Sequence, residues 1–225
     1  MRIFLVIVVA LAGVGLIVGS KWFERPAAEV PKALNPESAI IQPWELHPVT
    51  EDMSERAQTL VGLPAPDFTL EDHEGAKHSL SDLIDGKPLL IYFIQRDCPC
   101  CISAEPVASA LYEAYKDKAS VVGVVNADVA GAKDWRDRNE AKFPVLADAG
   151  LEVIQSYGAE RGVYWALVHP KGQVLKIYPG YSKDVMKEMG ASLAALSTVD
   201  EVVLNVPDVP QLMTSGCAFP TTPEE

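Results

Sequence analysis

Residues Pro88-Leu-Leu-Ile-Tyr-Phe-Ile94 form an unbroken apolar run of strand length, and four residues further on the chain reads Cys98-Pro-Cys-Cys101. A strand with no polar alternation has to be covered on both faces, so this one belongs at the centre of a sheet between layers of helices. The cysteines then fall where that strand gives way to a helix. Pro99 suits the first helical position, because its fixed φ matches a helix and its missing N–H would be unpaired there anyway.

The remaining elements agree with such a sheet. Asp67-Phe-Thr-Leu70 is a short alternating strand, and Ser79-Leu-Ser-Asp82 offers a helix start. A helical stretch covers residues 104–114, and Val121-Val-Gly-Val-Val125 is a second buried strand. Residues 132–142 read as a helix, Pro144-Val-Leu-Ala147 as a short strand and residues 151–157 as a brief helix. Trp165-Ala-Leu-Val168, the turn residues Pro170-Lys-Gly172 and Val174-Leu-Lys-Ile-Tyr178 make a hairpin, and an amphipathic helix over residues 185–196 closes the domain. Strands alternating with helices, then a terminal hairpin and helix, predict an α/β fold with a central mixed β-sheet flanked by helices.

The four cysteines are Cys98, Cys100, Cys101 and Cys217. Three within four residues do not staple loops across a chain of this length; they mark a site. At a helix N-terminus, free amides and the macrodipole would stabilise a Cys98 thiolate, the nucleophile of disulfide exchange. Cys101, three residues on, projects from nearly the same helix face and is within reach of a disulfide with Cys98. Cys100 is turned to another face and is expected to be a poor partner for Cys98.

Outside this domain the chain changes character. Residues 3–19 are uncharged and apolar, and as a helix they would reach about 26 Å, close to the ~30 Å of a bilayer core. Residues 1–21 are therefore expected to be a transmembrane anchor, with a cleaved signal peptide as the rival reading. Residues 22–59 carry repeated prolines and read as an extended linker, with a short helix over residues 54–60 as an addition. The soluble part is expected outside the cytoplasm, in a bacterial periplasm or its equivalent. Residues 198–225 form an acidic, Pro-containing tail with Cys217. Cys217 is open to three readings: a disulfide with Cys100, exchange with Cys98, or a free tail thiol. The formal net charge of −12, with no block of Lys or Arg, excludes nucleic acid as an expected partner.

Phe93-Ile-Gln-Arg-Asp-Cys-Pro-Cys-Cys-Ile-Ser-Ala-Glu-Pro106 resembles the active-site segment of thioredoxin-like proteins, in which C-x-x-C opens a helix that a later proline, here Pro106, kinks. Val61-Gly-Leu-Pro-Ala-Pro-Asp-Phe-Thr-Leu70 resembles the opening motif of redoxins, and Phe143-Pro-Val-Leu-Ala-Asp148 and Tyr157-Gly-Ala-Glu-Arg-Gly-Val163 resemble later family segments. The resemblance spans residues 60–197. It implies a thioredoxin-like fold and a thiol-disulfide oxidoreductase of the membrane-anchored type, with Cys98 as attacking thiol and Cys101 as resolving thiol. Protein dithiols or disulfides would be its substrates, and an upstream reductase or oxidant its redox partner. It implies no cofactor.

The chain departs from the family pattern in places. Asp97 stands before Cys98 where thioredoxins carry Trp, and a carboxylate there would tend to raise the thiol pKa. Tyr164-Trp165 stands where the family has its cis-proline. A non-proline cis bond costs ~3 kcal/mol, so Tyr164 is expected to be trans. The peroxidatic pattern of related redoxins would need Thr or Ser at Gln95 and Pro at Ile91. Glu105, expected as a solvated helix-surface residue, and Tyr164, bordering the site as rim or equally as core, are auxiliary candidates beside Cys100 and Cys217. Thiol peroxidase and Cu(I)- or Zn-binding metallochaperone are the alternatives. The metal reading would want a C-x-x-x-C spacing and a distant His, for which the turn residue His169 is the candidate; no resident metal is expected.

Overall fold

In a computed structural model, residues 47–221 are described; they lie within one unit, Ile41–Glu225. The expected membrane segment at residues 3–19 lies outside the described residues. Among the described residues no helix is long and apolar enough to cross a membrane.

The apolar run is strand β3 (Leu89–Ile94), with every residue buried. It is the middle strand of a five-stranded sheet that also holds β4 (Ser120–Val125), β5 (Val145–Ala147), β6 (Tyr164–Val168) and β7 (Val174–Tyr178), in the order β5-β4-β3-β6-β7. β3 pairs parallel with β4 and β4 parallel with β5, whereas β6 runs antiparallel to both β3 and β7. The sheet is mixed, as the element order predicts. A separate two-stranded hairpin, β1 (Thr69–Glu71) with β2 (Lys77–Ser79), precedes it.

Period-two alternation along β3 divides the interior into two cores. Leu90, Tyr92 and Ile94 face one core, with α3 (Pro99–Tyr115), α4 (Val129–Arg138) and α6 (Lys183–Ser197) packed there. Leu89, Ile91 and Phe93 face the other, with α1 (Glu51–Ala57), α2 (Leu80–Ile84) and α5 (Glu152–Ser156). The helices sit on both faces of the sheet, so the fold is thioredoxin-like α/β.

The long helices begin and end a few residues from where the sequence pattern puts them. α3 opens five residues before the expected residue 104, because Pro99 sits in its first turn. Pro106 lies inside it and offers no N–H to the carbonyl of Ile102. α4 spans Val129–Arg138 rather than residues 132–142, started by Asp128, whose side chain accepts from Gly131 N at 2.8 Å.

Part of the expected linker and part of the tail lie on the domain. Residues 47–59 carry α1, capped by Thr50, and Arg56 of α1 pairs with Glu160 at 3.0 Å. Residues 213–219 of the tail run back across the C-terminal end of β3. The tail is joined by Val49 N to Met213 O at 2.9 Å, Thr214 N to Tyr181 O at 3.0 Å and Ser215 N to His47 O at 2.8 Å. The prolines of residues 22–59 suggest a spacer, but backbone groups that find partners on a folded domain need no internal periodicity.

The depth of Leu111, fully buried on α3, tests the packing that carries the site. Leu111→Ala is expected to cost ~2–5 kcal/mol in urea unfolding followed by circular dichroism. A loss below ~1 kcal/mol would mean that α3 is not seated as described.

Candidate active site

Cys98 is the N-cap of α3, with φ −81° and ψ 116°, outside the helical region. Its carbonyl accepts from Cys101 N at 3.0 Å and Ile102 N at 3.2 Å, which satisfies the first amides of the helix. An N-cap side chain does not lie on the helical lattice. It faces the second and third helical residues, here Cys100 and Cys101.

That geometry corrects two expectations. Cys100 is not turned away: its thiol donates to the Cys98 sulfur, and so does the thiol of Cys101. Nor does the Cys98 side chain accept a hydrogen bond from the helix amides. Its backbone donor comes from the tail instead, Cys217 N at 3.0 Å, and the Cys217 thiol adds a further hydrogen bond.

The electrostatics follow from one acceptor surrounded by donors. Hydrogen bonds from the Cys100 thiol first, then from Cys101 and from Cys217, outweigh burial and hold the Cys98 thiol well below its ordinary value. The donors pay in the opposite direction. Cys100 is pushed up by the bond it gives to Cys98 and by burial, and Cys101 by burial and by its own bond to Cys98. Cys217 is pushed up to about 11, by burial before its bond to Cys98. All four cysteines are free thiols, so the structure holds the reduced form.

Asp97 does not act as expected. Its carboxylate is exposed and pairs with Arg96 at 3.3 Å, and it is not among the principal influences on Cys98.

Beneath the sulfurs the support is aromatic. Tyr92 OH donates to Cys101 O at 2.8 Å, and the Tyr92 ring stacks on Trp165 with centroids 4.1 Å apart and planes 13° from parallel. Trp165 and Tyr164 are neighbours on β6 and so face opposite cores. Trp165 lies on the sulfur side, whereas Tyr164 packs beside Phe93 on the other side and does not border the site.

Glu105 is also placed differently. It is buried at 7% exposure and accepts from Ser109 Oγ, with its carboxyl raised by that burial. Its neighbours are Ser109, Lys142 and Glu140 rather than the sulfurs. His169 only closes a turn, accepting from Lys171 N at 3.0 Å through Nδ1. Among the described residues no group of three or more His, Cys, Asp or Glu is arranged to hold a metal ion.

The segment before β6 borders the sulfurs from the remaining side. No cis peptide occurs among the described residues. Instead Val163 holds φ +57°, a left-handed conformation that a β-branched side chain rarely adopts. This backbone brings Val163 N to Phe93 O at 3.1 Å and also turns the amide toward Cys101. Gly162 is required here: a Cβ on it would stand 2.5 Å from Cys101 Sγ.

Sequence reasoning singled out neither Arg161 nor Tyr181. Arg161 donates to Gly216 O at 2.8 Å and meets His47 Nδ1 at 3.0 Å, and its charge favours the thiolates of Cys100 and Cys217. The only signal for it was its place in the 157–163 segment. Tyr181 is fully buried, with a hydroxyl that has no hydrogen-bond partner among the described residues and whose titration is influenced by all three clustered thiols. Nothing in its sequence context marked it.

Residues 61–177, over half of the chain, match the model of the AhpC/TSA family. The chain belongs to the AhpC/TSA family. The thiol-disulfide oxidoreductase ResA of Halalkalibacterium halodurans is 31% identical over 137 residues, covering 60% of this chain and 77% of that protein. Peroxiredoxin Q of Oryza sativa subsp. japonica, a chloroplast protein, is 32% identical over 108 residues, 47% of this chain and 49% of its own. The thioredoxin domain of a thiol-disulfide oxidoreductase from Bacteroides vulgatus shares the fold, with a TM-score of 0.52 at 24% identity over 59% of this chain and 97% of that one. Membership of the AhpC/TSA family together with the ResA likeness makes the chain an oxidoreductase of the thiol-disulfide class.

The donor set around Cys98 has a consequence for pH. The folded reduced protein keeps Cys98 ionised at pH values where an unfolded chain would keep the proton. That contribution to stability is full above the ordinary thiol value of ~8.5 and is lost as pH falls through the depressed folded value. Cys100→Ala removes the strongest donor. Ultraviolet thiolate absorbance is expected to show the Cys98 transition moving up toward ~8.5. An unmoved transition would refute the thiol-to-thiolate bond as its cause.

Proposed function

We propose that this chain reduces or exchanges protein disulfides through Cys98 and Cys101, on the extracytoplasmic side of a membrane that residues 3–19 anchor it to. The observation that carries the reading is the single sulfur at the N-cap of α3 taking hydrogen bonds from its neighbours, which supports a thiolate poised for attack.

In the forward step the Cys98 thiolate attacks one sulfur of a substrate disulfide. A Cys98–substrate disulfide forms and the other substrate sulfur leaves as a thiolate. Cys101, giving up its proton, attacks Cys98 Sγ, and the Cys98–Cys101 disulfide forms as the second substrate sulfur departs. The substrate gains two electrons and the protein loses them. A reductase or oxidant of matching potential resets the pair.

A peroxidase reading is favoured by one observation, the likeness to peroxiredoxin Q. It draws no support from Gln95 and Ile91, which stand where the peroxidatic hydroxyl and proline would be. Both chemistries begin at Cys98, and substrate choice separates them.

Cys98→Ser is expected to lower insulin-disulfide reduction by about a hundredfold or more, while wild-type protein consumes hydrogen peroxide no faster than free thiol does. Undiminished insulin reduction in the variant would remove Cys98 from the mechanism. Rapid, Cys98-dependent peroxide consumption would favour the peroxidase. Protease added to intact spheroplasts is expected to digest the domain, and full protection would reject the extracytoplasmic placement.

A further inference from the structure

A sulfur that exchanges with another protein must be approached along its S–S axis, and three of these four are sealed. Cys98 and Cys101 are 0% exposed and Cys100 is 2% exposed. What lies over Cys98 is the tail: a Cβ placed on Gly216 would stand 3.0 Å from Cys98 Sγ and 2.8 Å from the Gly162 carbonyl. Cys217, the next residue, is only half-buried.

The tail does not lie there by loose packing. Gly216 N donates to Gly162 O at 2.7 Å, Gly162 N donates to Cys217 O at 2.9 Å, and Phe219 N donates to Glu160 O at 3.0 Å. Arg161 and Ala218 form an antiparallel bridge between these bonds. An extended segment therefore pairs with the backbone edge beside Cys98 and holds its own cysteine at that sulfur. A peptide bearing a disulfide would have to lie in the same way for Cys98 to attack it.

We propose that Cys217 is a third redox thiol, which takes over the disulfide from Cys101 as a Cys98–Cys217 bond and presents it at the surface to a protein dithiol. The proposal rests on the reading of Cys98 as the attacking thiol. In the first step, Cys217 loses its proton and attacks Cys98 Sγ of the Cys98–Cys101 disulfide. The Cys98–Cys217 bond forms, the Cys98–Cys101 bond breaks, and Cys101 leaves and takes up a proton, with no net change in oxidation.

In the second step one thiolate of the external dithiol attacks the half-buried Cys217 sulfur. Cys98 leaves as the thiolate its neighbours stabilise, and a low-pKa sulfur is the better leaving group. The second thiol of the reductant then attacks its own sulfur in the mixed disulfide, giving the oxidised reductant and a Cys217 thiol. The reductant loses two electrons and this chain gains them.

The full chain, reduced and then oxidised with excess glutathione disulfide, is acid-quenched and its disulfides are mapped by non-reducing peptide mass analysis. A crosslinked Cys98–Cys217 peptide is expected in wild type and in Cys101→Ser. Cys217→Ser is expected to lose it and to be reduced by thioredoxin at least about tenfold more slowly, since only sealed sulfurs remain. No crosslink at Cys217, a Cys100–Cys217 crosslink in its place, or unchanged reduction of Cys217→Ser would overturn the relay. Insulin reduction by Cys98→Ser tells that failure apart: if the variant stays inactive, the reading of Cys98 stands without the relay, and if it stays active the reading itself fails.

Discussion

The site depends on keeping one sulfur ionised while it is almost wholly removed from water. Burial alone would push a thiol the other way, toward its neutral form. Here the cost is offset by hydrogen bonds to the charged form, and their number comes from the backbone. As N-cap, Cys98 leaves the helical lattice and turns its side chain toward Cys100 and Cys101, while Cys217 arrives from the far end of the chain with an amide and a thiol. Each donor is itself made harder to ionise, so the four thiols behave as one anionic site with a preferred position for the charge.

That arrangement reaches back into the sheet through alternation. β3 delivers Tyr92 to the sulfur-side core, where its hydroxyl binds Cys101 O and its ring stacks on Trp165 of the neighbouring strand. The same pairing sends Phe93 and Tyr164 to the opposite core. At the start of β6 the left-handed Val163 costs of order 1–3 kcal/mol, and it persists because the β3 carbonyl and Cys101 both use its amide. This left-handed residue falls in a loop that must come close to a sulfur.

Much of this was legible in the sequence for a physical reason. A fully apolar six-residue strand leaves no choice but a central position, and Pro99 after Cys98 leaves little choice but a helix start. The Tyr157–Val163 segment was visible by resemblance. The role of Cys100 was misread because helical spacing was applied to a residue that, as N-cap, is not helical. Glu105 was misread as solvated, since a carboxylate satisfied by Ser109 one turn on leaves no mark in hydropathy. Tyr164 is a candidate because it stands where the family has its cis-proline, but adjacent strand residues face apart, so that position does not fix which core the ring enters. The tail was least legible of all. Its partners are backbone groups at His47, Gly162 and Tyr181, and backbone pairing across more than thirty residues carries no local pattern.

The tail also sets a condition on any substrate. Gly162 offers one N–H and one C=O beside Cys98, and both are already used by residues 216 and 217. A substrate peptide that pairs there must first displace the tail. Because the tail belongs to the same chain, its effective concentration is of order mM whatever the protein concentration, so it competes as a fixed opponent rather than a diluting one. In the proposed exchange, displacement would strip Cys98 of the Cys217 amide as the substrate sulfur arrives. The thiolate would then lose part of its stabilisation, and a less stabilised thiolate is the stronger nucleophile. On substrate departure the returning tail would restore that donor and with it the leaving-group character of Cys98.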